Sequence, residues 1–297
     1  MTNKYKIAGI GEILWDILPQ GKVLGGAPGN FAYHAAMLGA DGYIFSAVGN
    51  DGLGREIISR LSGYNIHLQI ETLNYPTGVV DVTLNEAGIP QYEITEQVAW
   101  DFIPFSAQIA GLAKQMDAVC FGSLAQRSEI SKASITKFVS LVPDSALKVF
   151  DINLRQHYYS KTLITESMQL ANVLKINDEE LRTIADMYEL PGDDLLVCRQ
   201  LAKEFNLKMV ACTYGANGSL LCSLSESSFM ETPQVAVKDT VGAGDAFSAA
   251  LIVGILNGFP MKRCHEMAVQ LSAYVCTQDG AMPKYDYKTI KTELHEK

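Results

Sequence analysis

The 297-residue chain lacks several features that would direct a reading elsewhere. It contains no run of the roughly 20 apolar residues that a membrane-crossing helix needs. Its 24 Lys and Arg are outnumbered by 33 Asp and Glu, giving a net charge of -9 that argues against a broad nucleic-acid or anionic-membrane surface. A local phosphate site stays open, because backbone amides and single cations can build one. The six cysteines, at positions 120, 198, 212, 222, 264 and 276, form no C-x-x-C pair and sit mostly in apolar runs. That usage predicts buried free thiols in a reducing cytoplasm and no zinc site. There is no Walker A sequence, no complete G-x-G-x-x-G, no internal repeat and no long linker. The opening "MTNKYKIAGIGEILWD" lacks the core of a signal peptide and reads as a first strand.

What is present is apolar and alternating. Hydrophobic residues make up 48% of the chain and charged ones 19%, enough for a sizeable core and against disorder. Strand-like runs ("GYIFSAVGN", "DAVCFGSL", "LKVFDINL", "NVLKIND", "LKMVACTYG") alternate with helical patterns ("GLGREIISRLSGYNI", "SEISKASITKFVSLVP", "KTLITESMQLA", "DEELRTIADMYEL", "DDLLVCRQLAKEF"). This order predicts an α/β protein with a mostly parallel sheet and helices on both faces. "TGVVDVTLNEAGIPQYEITEQ" breaks the pattern, with period-two alternation around a turn at Asn85–Gly88. It reads as an antiparallel hairpin that must pack on something: a sheet extension, a lid or a dimer surface. One main domain over residues 1–297 with a small β insert is expected.

The chemistry concentrates in "DTVGAGDAF", Asp239 to Phe247. The stretch after it is apolar and small all round, so it predicts a buried helix. The mouth of such a helix offers unpaired amides and partial positive charge. Gly242, Ala243 and Gly244 let an anion approach those amides closely. Asp245 then stands in the first turn, where it would repel a bound phosphate. Its placement makes sense if it takes a proton from a hydroxyl that attacks phosphorus while the amides stabilise the transferring group. A plain helix start with a favourable acid is the structural alternative for a G-x-G-D string taken alone.

The nine-residue string resembles the C-terminal signature of the ribokinase-like carbohydrate kinase family. "LGGAPGNFAYHAAMLGA", Leu24 to Ala40, is similar to the family's Gly-Gly sugar-binding motif. Ala27 stands where ribokinases usually carry Lys. With "GGAPGN", "FDINLR" and "VAWDFI", the chain looks most like bacterial fructokinases. The resemblance implies a three-layer αβα fold with a mostly parallel central sheet. It also implies a small antiparallel β lid, built from residues near 75–100 and near 13–24.

It implies roles for particular residues as well. Asp245 matches the catalytic base, and Gly242, Ala243 and Gly244 match the anion hole. Asp16, Gly25, Gly26 and Asn30 match the sugar site. Carboxylate and amide groups suit hydroxyl recognition, although Asn30 also reads as a helix N-cap. Asn177 and Glu180 in "NDEE" match an Asn-x-x-Glu motif that organises Mg2+ largely through water, or else form an acidic helix start. Asn153 and Arg155 belong near the phosphates or the substrate. Thr213, Gly215 and Gly218 in "TYGANGS", with Gly280 in "GAMP", match the nucleotide pocket. Asp239 lies where some members build a K+ site. Tyr92 and Trp100 are placed to reach the sugar from the lid, or else to pack at its base.

The expected activity is ATP-dependent phosphorylation of a primary sugar hydroxyl, fructose giving fructose 6-phosphate. A homodimer formed through the lid is expected, with no nucleic-acid or membrane partner. A 2-keto-3-deoxygluconate or other sugar-acid kinase would fit the same motifs and would use Arg155 on the substrate carboxylate. A nucleoside kinase would want a more aromatic pocket. A catalytically silent sugar-binding regulator would be expected to lose the base or an anion-hole glycine. A dinucleotide oxidoreductase would need the third glycine that "GIGEIL" lacks.

Overall fold

The computed structural model describes residues 4–18, 21–84, 90–287 and 290, with the backbone alone at 82–84 and 90–92. The expected turn at Asn85–Gly88 lies outside the described residues. The chain opens with β1 (Lys6–Ile10), then β2 (Leu14–Leu18), β3 (Gly21–Gly25), α1 (Ala27–Met37), β4 (Asp41–Gly49), α2 (Gly52–Leu61) and β5 (Ile66–Leu73). The hairpin β6 (Gly78–Leu84) and β7 (Pro90–Ile94) follows. Next come α3 (Ala107–Ala113), β8 (Ala118–Gly122), α4 (Glu129–Leu141), β9 (Leu147–Asp151), α5 (Lys161–Leu170), β10 (Val173–Asn177), α6 (Asp178–Tyr188) and α7 (Asp194–Glu204). The last third holds β11 (Met209–Thr213), β12 (Ser219–Cys222), β13 (Ser227–Met230), α8 (Ala243–Leu256) and α9 (Met261–Cys276).

The main sheet has nine strands in the order β13-β12-β11-β10-β9-β8-β1-β4-β5. Pairings from β11 through to β5 are all parallel, and β12 and β13 add an antiparallel edge. The parallel strands are buried on both faces, which explains their continuous apolar runs. In β8, Val119 and Phe121 join one core cluster while Ala118 and Cys120 join the other. Chain order reverses at β1: β4 and β5 extend the sheet on one side, and β8 returns to the other. In open α/β sheets the crevice beyond the strands' carboxyl ends, at such a reversal, is where ligands bind.

The run read as one long first strand divides. β1 stops at Ile10, and the chain turns through Gly11–Ile13 into β2 of a second sheet, ordered β3-β2-β6-β7. Two antiparallel hairpins, β2–β3 and β6–β7, join through a parallel β2–β6 pairing. The second sheet therefore springs directly from the carboxyl end of the central strand. Its inner side packs on Ile13, Trp15 and α2. Trp15 lies fully buried beneath Lys22 and Arg60, each under 5 Å from the indole (4.8 and 4.7 Å).

Two helices aim at the crevice. α1 begins at Ala27 with Pro28 in its first turn, a position where a missing N–H costs nothing. Its N-cap is Gly26, whose φ of 118° and close approach to the Glu12 carbonyl leave no room for a side chain. Asn30, expected as the N-cap, instead lies inside the first turn, its amide bonded to Gly26 O at 3.0 Å. α8 is buried nearly all round, against α1 and α9, as its small apolar sequence requires. The six cysteines are free thiols, five of them buried. Among the described residues no helix is long and apolar enough to cross a membrane.

Candidate active site

The mouth of α8 opens into the crevice. Gly242 caps it at φ 78°, a left-handed conformation suited to glycine, and a Cβ there would press on Ala281. The helical ladder starts with Ala246 N–H donating to Gly242 O at 2.9 Å. The amides of Gly244 and Asp245 precede it and have no helical partner. The Ala243 amide turns back to Thr240 O at 3.3 Å, a contribution to loop closure that the sequence did not announce.

Asp245 sits in this first turn. Its Oδ2 accepts a 2.7 Å bond from Asn30 Nδ2, which ties α8 to α1. Burial pushes its carboxyl up to about 7, and the Asp151 and Glu12 charges push the same way. The Asn30 bond and the Lys175 charge oppose them. Lys175, on β10, lies beneath the turn, with Nζ 3.6 Å from the point where a Cβ on Gly244 would stand. Nζ is also 3.7 Å from Asp151 Oδ1 at the end of β9, and both side chains are buried. Burial alone would lower the lysine, but Asp151, Glu180 and Asp245 hold it above its ordinary value, so it stays charged.

Asp16 lies on β2 of the second sheet, its Oδ2 packed against Gly25 so closely that a Cβ there would sit 2.6 Å away. Burial raises its carboxyl to about 6, the Asp239 charge adds to this, and Arg155 opposes it. Arg155 is exposed, with Nη1 donating to Leu154 O at 3.0 Å, and its charge reaches both Asp16 and Glu12. Asn153 holds a left-handed φ of 43° and its carbonyl accepts Ser123 Oγ at 3.3 Å.

Asn177 and Glu180 form a capping box at the start of α6. Asn177 Oδ1 accepts the Glu180 amide at 2.8 Å, while Glu180 accepts the Asn177 and Leu154 amides, both at 2.9 Å. Both Glu180 oxygens thus hold backbone, and the residue locks the loop after β9 to α6. Asp239 is likewise committed: it accepts the Val241 amide at 3.0 Å and the Gly280 amide at 3.2 Å, stapling two loops together. A potassium ion there would have to draw on backbone carbonyls. Among the described residues no cluster of His, Cys, Asp and Glu could cage a metal.

Thr213 ends β11 directly beside Asn177 in the sheet register. The following loop closes through Tyr214 N–H to Gly218 O at 2.9 Å, with positive φ at Gly215 and Gly218. Gly280, at φ 72°, precedes Ala281, whose carbonyl meets His34 Nε2 at 2.9 Å. Gly25, Gly26, Asn30, Asn153, Arg155, Asn177, Glu180, Thr213 and Asp245 stand at strand ends or on the loops and helix starts that follow them, and Asp16 stands mid-strand in the second sheet.

Trp100 does not reach this space. It is fully buried in the short 3-10 helix Ala99–Phe102, part of the main core, with Arg127 stacked 4.0 Å above its ring. It is a packing group under the second sheet, the other reading the sequence left open, and it offers no exposed surface to a sugar. The Tyr92 side chain lies outside the described residues. Four groups were not singled out from the sequence. Asp151 opens the quoted "DINLR", Lys175 stands two before Asn177, Glu12 follows the first strand, and Arg127 pairs with Asp101. A charge within or just after an otherwise apolar strand was the available signal for the first three.

A doubly wound α/β sheet with a second sheet over its reversal, and a carboxylate at a glycine-capped helix mouth, define a small-molecule kinase of ribokinase-like fold. Residues 20–286 match the family model for pfkB family carbohydrate kinases, and the chain belongs to that family. A structure described as an uncharacterized sugar kinase from Pyrococcus horikoshii in complex with ATP superposes with a TM-score of 0.81 at 26% identity, covering 98% of this chain and 99% of that one. An Escherichia coli fructokinase is 27% identical over 93% of this chain and 95% of its own length. An ATP-dependent 6-phosphofructokinase of Thermoanaerobacterium thermosaccharolyticum is also 27% identical, over 98% of this chain and 94% of its own length. The protein is a sugar kinase.

Proposed function

We propose that the protein phosphorylates fructose at its primary hydroxyl, with ATP as donor and Asp245 as the base. The observation that carries this reading is Asp245 at the mouth of α8. It is fixed by Asn30 and held near neutrality, with free amides and Lys175 beside it. The acceptor lies between Asp16, the Gly25–Gly26 turn and Asn30. Asp245 takes the proton of the hydroxyl, and that oxygen attacks the γ-phosphorus as ADP leaves. The Gly244 and Asp245 amides, with Lys175, face the charge that spreads over the transferring group. Thr213, Gly215, Gly218 and Gly280 lie along the edge where the nucleotide would extend. Magnesium bound to the nucleotide phosphates, near Asn177 and Glu180, supplies further charge neutralisation. The protein works as a homodimer through the second sheet, whose edges are formed by β3 and β7.

Fructose is favoured by the fructokinase relatives and by the state of Arg127. That second cation under the lid is buried and its charge is balanced by Asp101, although its Nη1 has no partner. Arg155 is exposed and supports a second reading in which a sugar acid or a phosphorylated sugar is the acceptor. An ADP-release assay over fructose, fructose 6-phosphate, 2-keto-3-deoxygluconate, ribose and adenosine separates the two. Fructose turnover that falls about 10²–10⁴-fold in Asp245→Asn is expected. Preference for an anionic acceptor, abolished in Arg155→Met, would replace fructose and retain the base.

A further inference from the structure

Glu12 occupies the turn between β1 and the second sheet, at the reversal point of the main sheet, and is 3% exposed. Its carboxyl lies near its own amide and that of Ala27, the first residue of α1, whose pull opposes the upward push of burial. Its Oε2 has no hydrogen-bond partner. On the same helix start, Asn30 donates to Asp245 through Nδ2, while its buried Oδ1 is also without a partner. Buried polar atoms are almost always paired, so two orphans beside one reacting carboxylate call for an explanation.

Asn30 Oδ1 is an acceptor, and so is Glu12 Oε2 in the carboxylate form. What completes both in that form is a ligand with hydroxyl donors; a carboxylate, a phosphate or an apolar group would leave them unmet. We propose that Glu12 is an acceptor-binding residue: its Oε2 and Asn30 Oδ1 receive two hydroxyls of the substrate, next to the hydroxyl that Asp245 deprotonates. This rests on the reading of Asp245 as the base. The charged or titratable groups facing Glu12 are Arg155 from the loop after β9, Asp151 from β9, Asp245 from α8 and Cys120 from β8. Lys175 acts on Asp245 from β10. Burial holds Glu12 near 7, as it does Asp245, and a charge on Glu12 raises Asp245 further. The two carboxyls therefore titrate as a linked pair.

The test is steady-state kinetics of wild type, Glu12→Gln and Glu12→Asp with fructose and with singly deoxygenated fructose analogues, alongside melting temperatures. Glu12→Gln is expected to raise the acceptor KM about 10-fold or more, the loss of a hydrogen bond to a charged group, and to leave the ATP KM within about twofold. It should abolish discrimination against one particular deoxy analogue and move the acid limb of kcat/KM to lower pH. A merely structural role would lower the melting temperature and leave acceptor KM, discrimination and pH limb unchanged, and that result would overturn the proposal. Should Glu12→Gln fail to fold, the wild-type deoxy series decides: loss of no single hydroxyl raising KM would overturn it too. Absence of turnover by wild type with any acceptor would instead overturn the kinase reading on which this rests.

Discussion

Two buried ion pairs divide the molecule's labour. Arg127 and Asp101, beneath the second sheet, have side chains 5% and 4% exposed, and Lys175 and Asp151, in the crevice, 8% and 9%. Burial hardly separates them; geometry does. Arg127 grips Asp101 with two bonds of 2.8 and 2.9 Å, adds a 2.6 Å bond to Thr95 O, and lies between the rings of Trp100 and Tyr158. Lys175 stands 3.7 Å from Asp151, too far for a good hydrogen bond, and shares its charge with Glu180 and Asp245. The first pair is bidentate and holds the chain between β7 and α4, with only Arg127 Nη1 left without a partner. The second is open, with a cation left to face an incoming anion. Burial of charge therefore says little about role until the geometry of its pairing is considered.

The contrast can be broken from either side. The largest effect is expected at the open pair. Lys175→Met should lower kcat about 10²–10³-fold, as for the loss of one charge stabiliser at a transferring group, and the melting temperature should fall less than in Arg127→Met because Asp151 is held only loosely. Arg127→Met should do the reverse. It strands Asp101 in the core and is expected to cost about 3–5 kcal/mol of stability by denaturant unfolding, with kcat/KM of the folded enzyme within about threefold. Equal losses of activity and stability in both variants would erase the distinction.

The pH response sharpens it. Asp245 and Glu12 are raised to about 7 and Asp16 to about 6. A raised carboxyl contributes stability that is full below its ordinary value and is lost as pH rises through its folded value. The crevice thus works against folding at neutral pH, and Asp245→Asn should melt higher than wild type at about pH 8 and converge with it at about pH 4. The buried His34 and His265, lowered to about 4, act oppositely: their contribution is present above the ordinary histidine value and falls away as pH drops toward 4. Replacing either should flatten the acid side of the melting profile. The smallest effect is expected at Trp100→Phe. It removes a buried indole N–H that has no partner and should leave the acceptor KM unchanged, with stability within about 1.5 kcal/mol.

Much of this was legible in the sequence. The αβ alternation gave the parallel sheet because its strands are apolar on both faces. The glycines and Asp245 gave the helix mouth because few other residues tolerate that turn. The reach of the first strand was misjudged, since "KIAGIGEIL" is apolar throughout and only the third dimension divides it between two sheets. Asn30 looked like a cap, but Pro28 can open a helix, which moved the cap back to Gly26. Trp100 left two readings, a sugar contact or packing at the lid's base, because exposure is not written in residue type. Lys175 and Glu12 were passed over because a charge inside an apolar strand gains meaning only from its neighbours, and those come from distant segments.

The central claim is that Asp245 is a base poised near neutrality. The most direct test is the pH profile of kcat/KM for fructose in wild type beside Asp245→Asn. The account predicts an acid limb in wild type with an apparent pKa near 7, below which activity falls tenfold per pH unit, and a residual activity in the variant without that limb. A profile flat between about pH 5 and 8, with the variant retaining wild-type turnover, would contradict it.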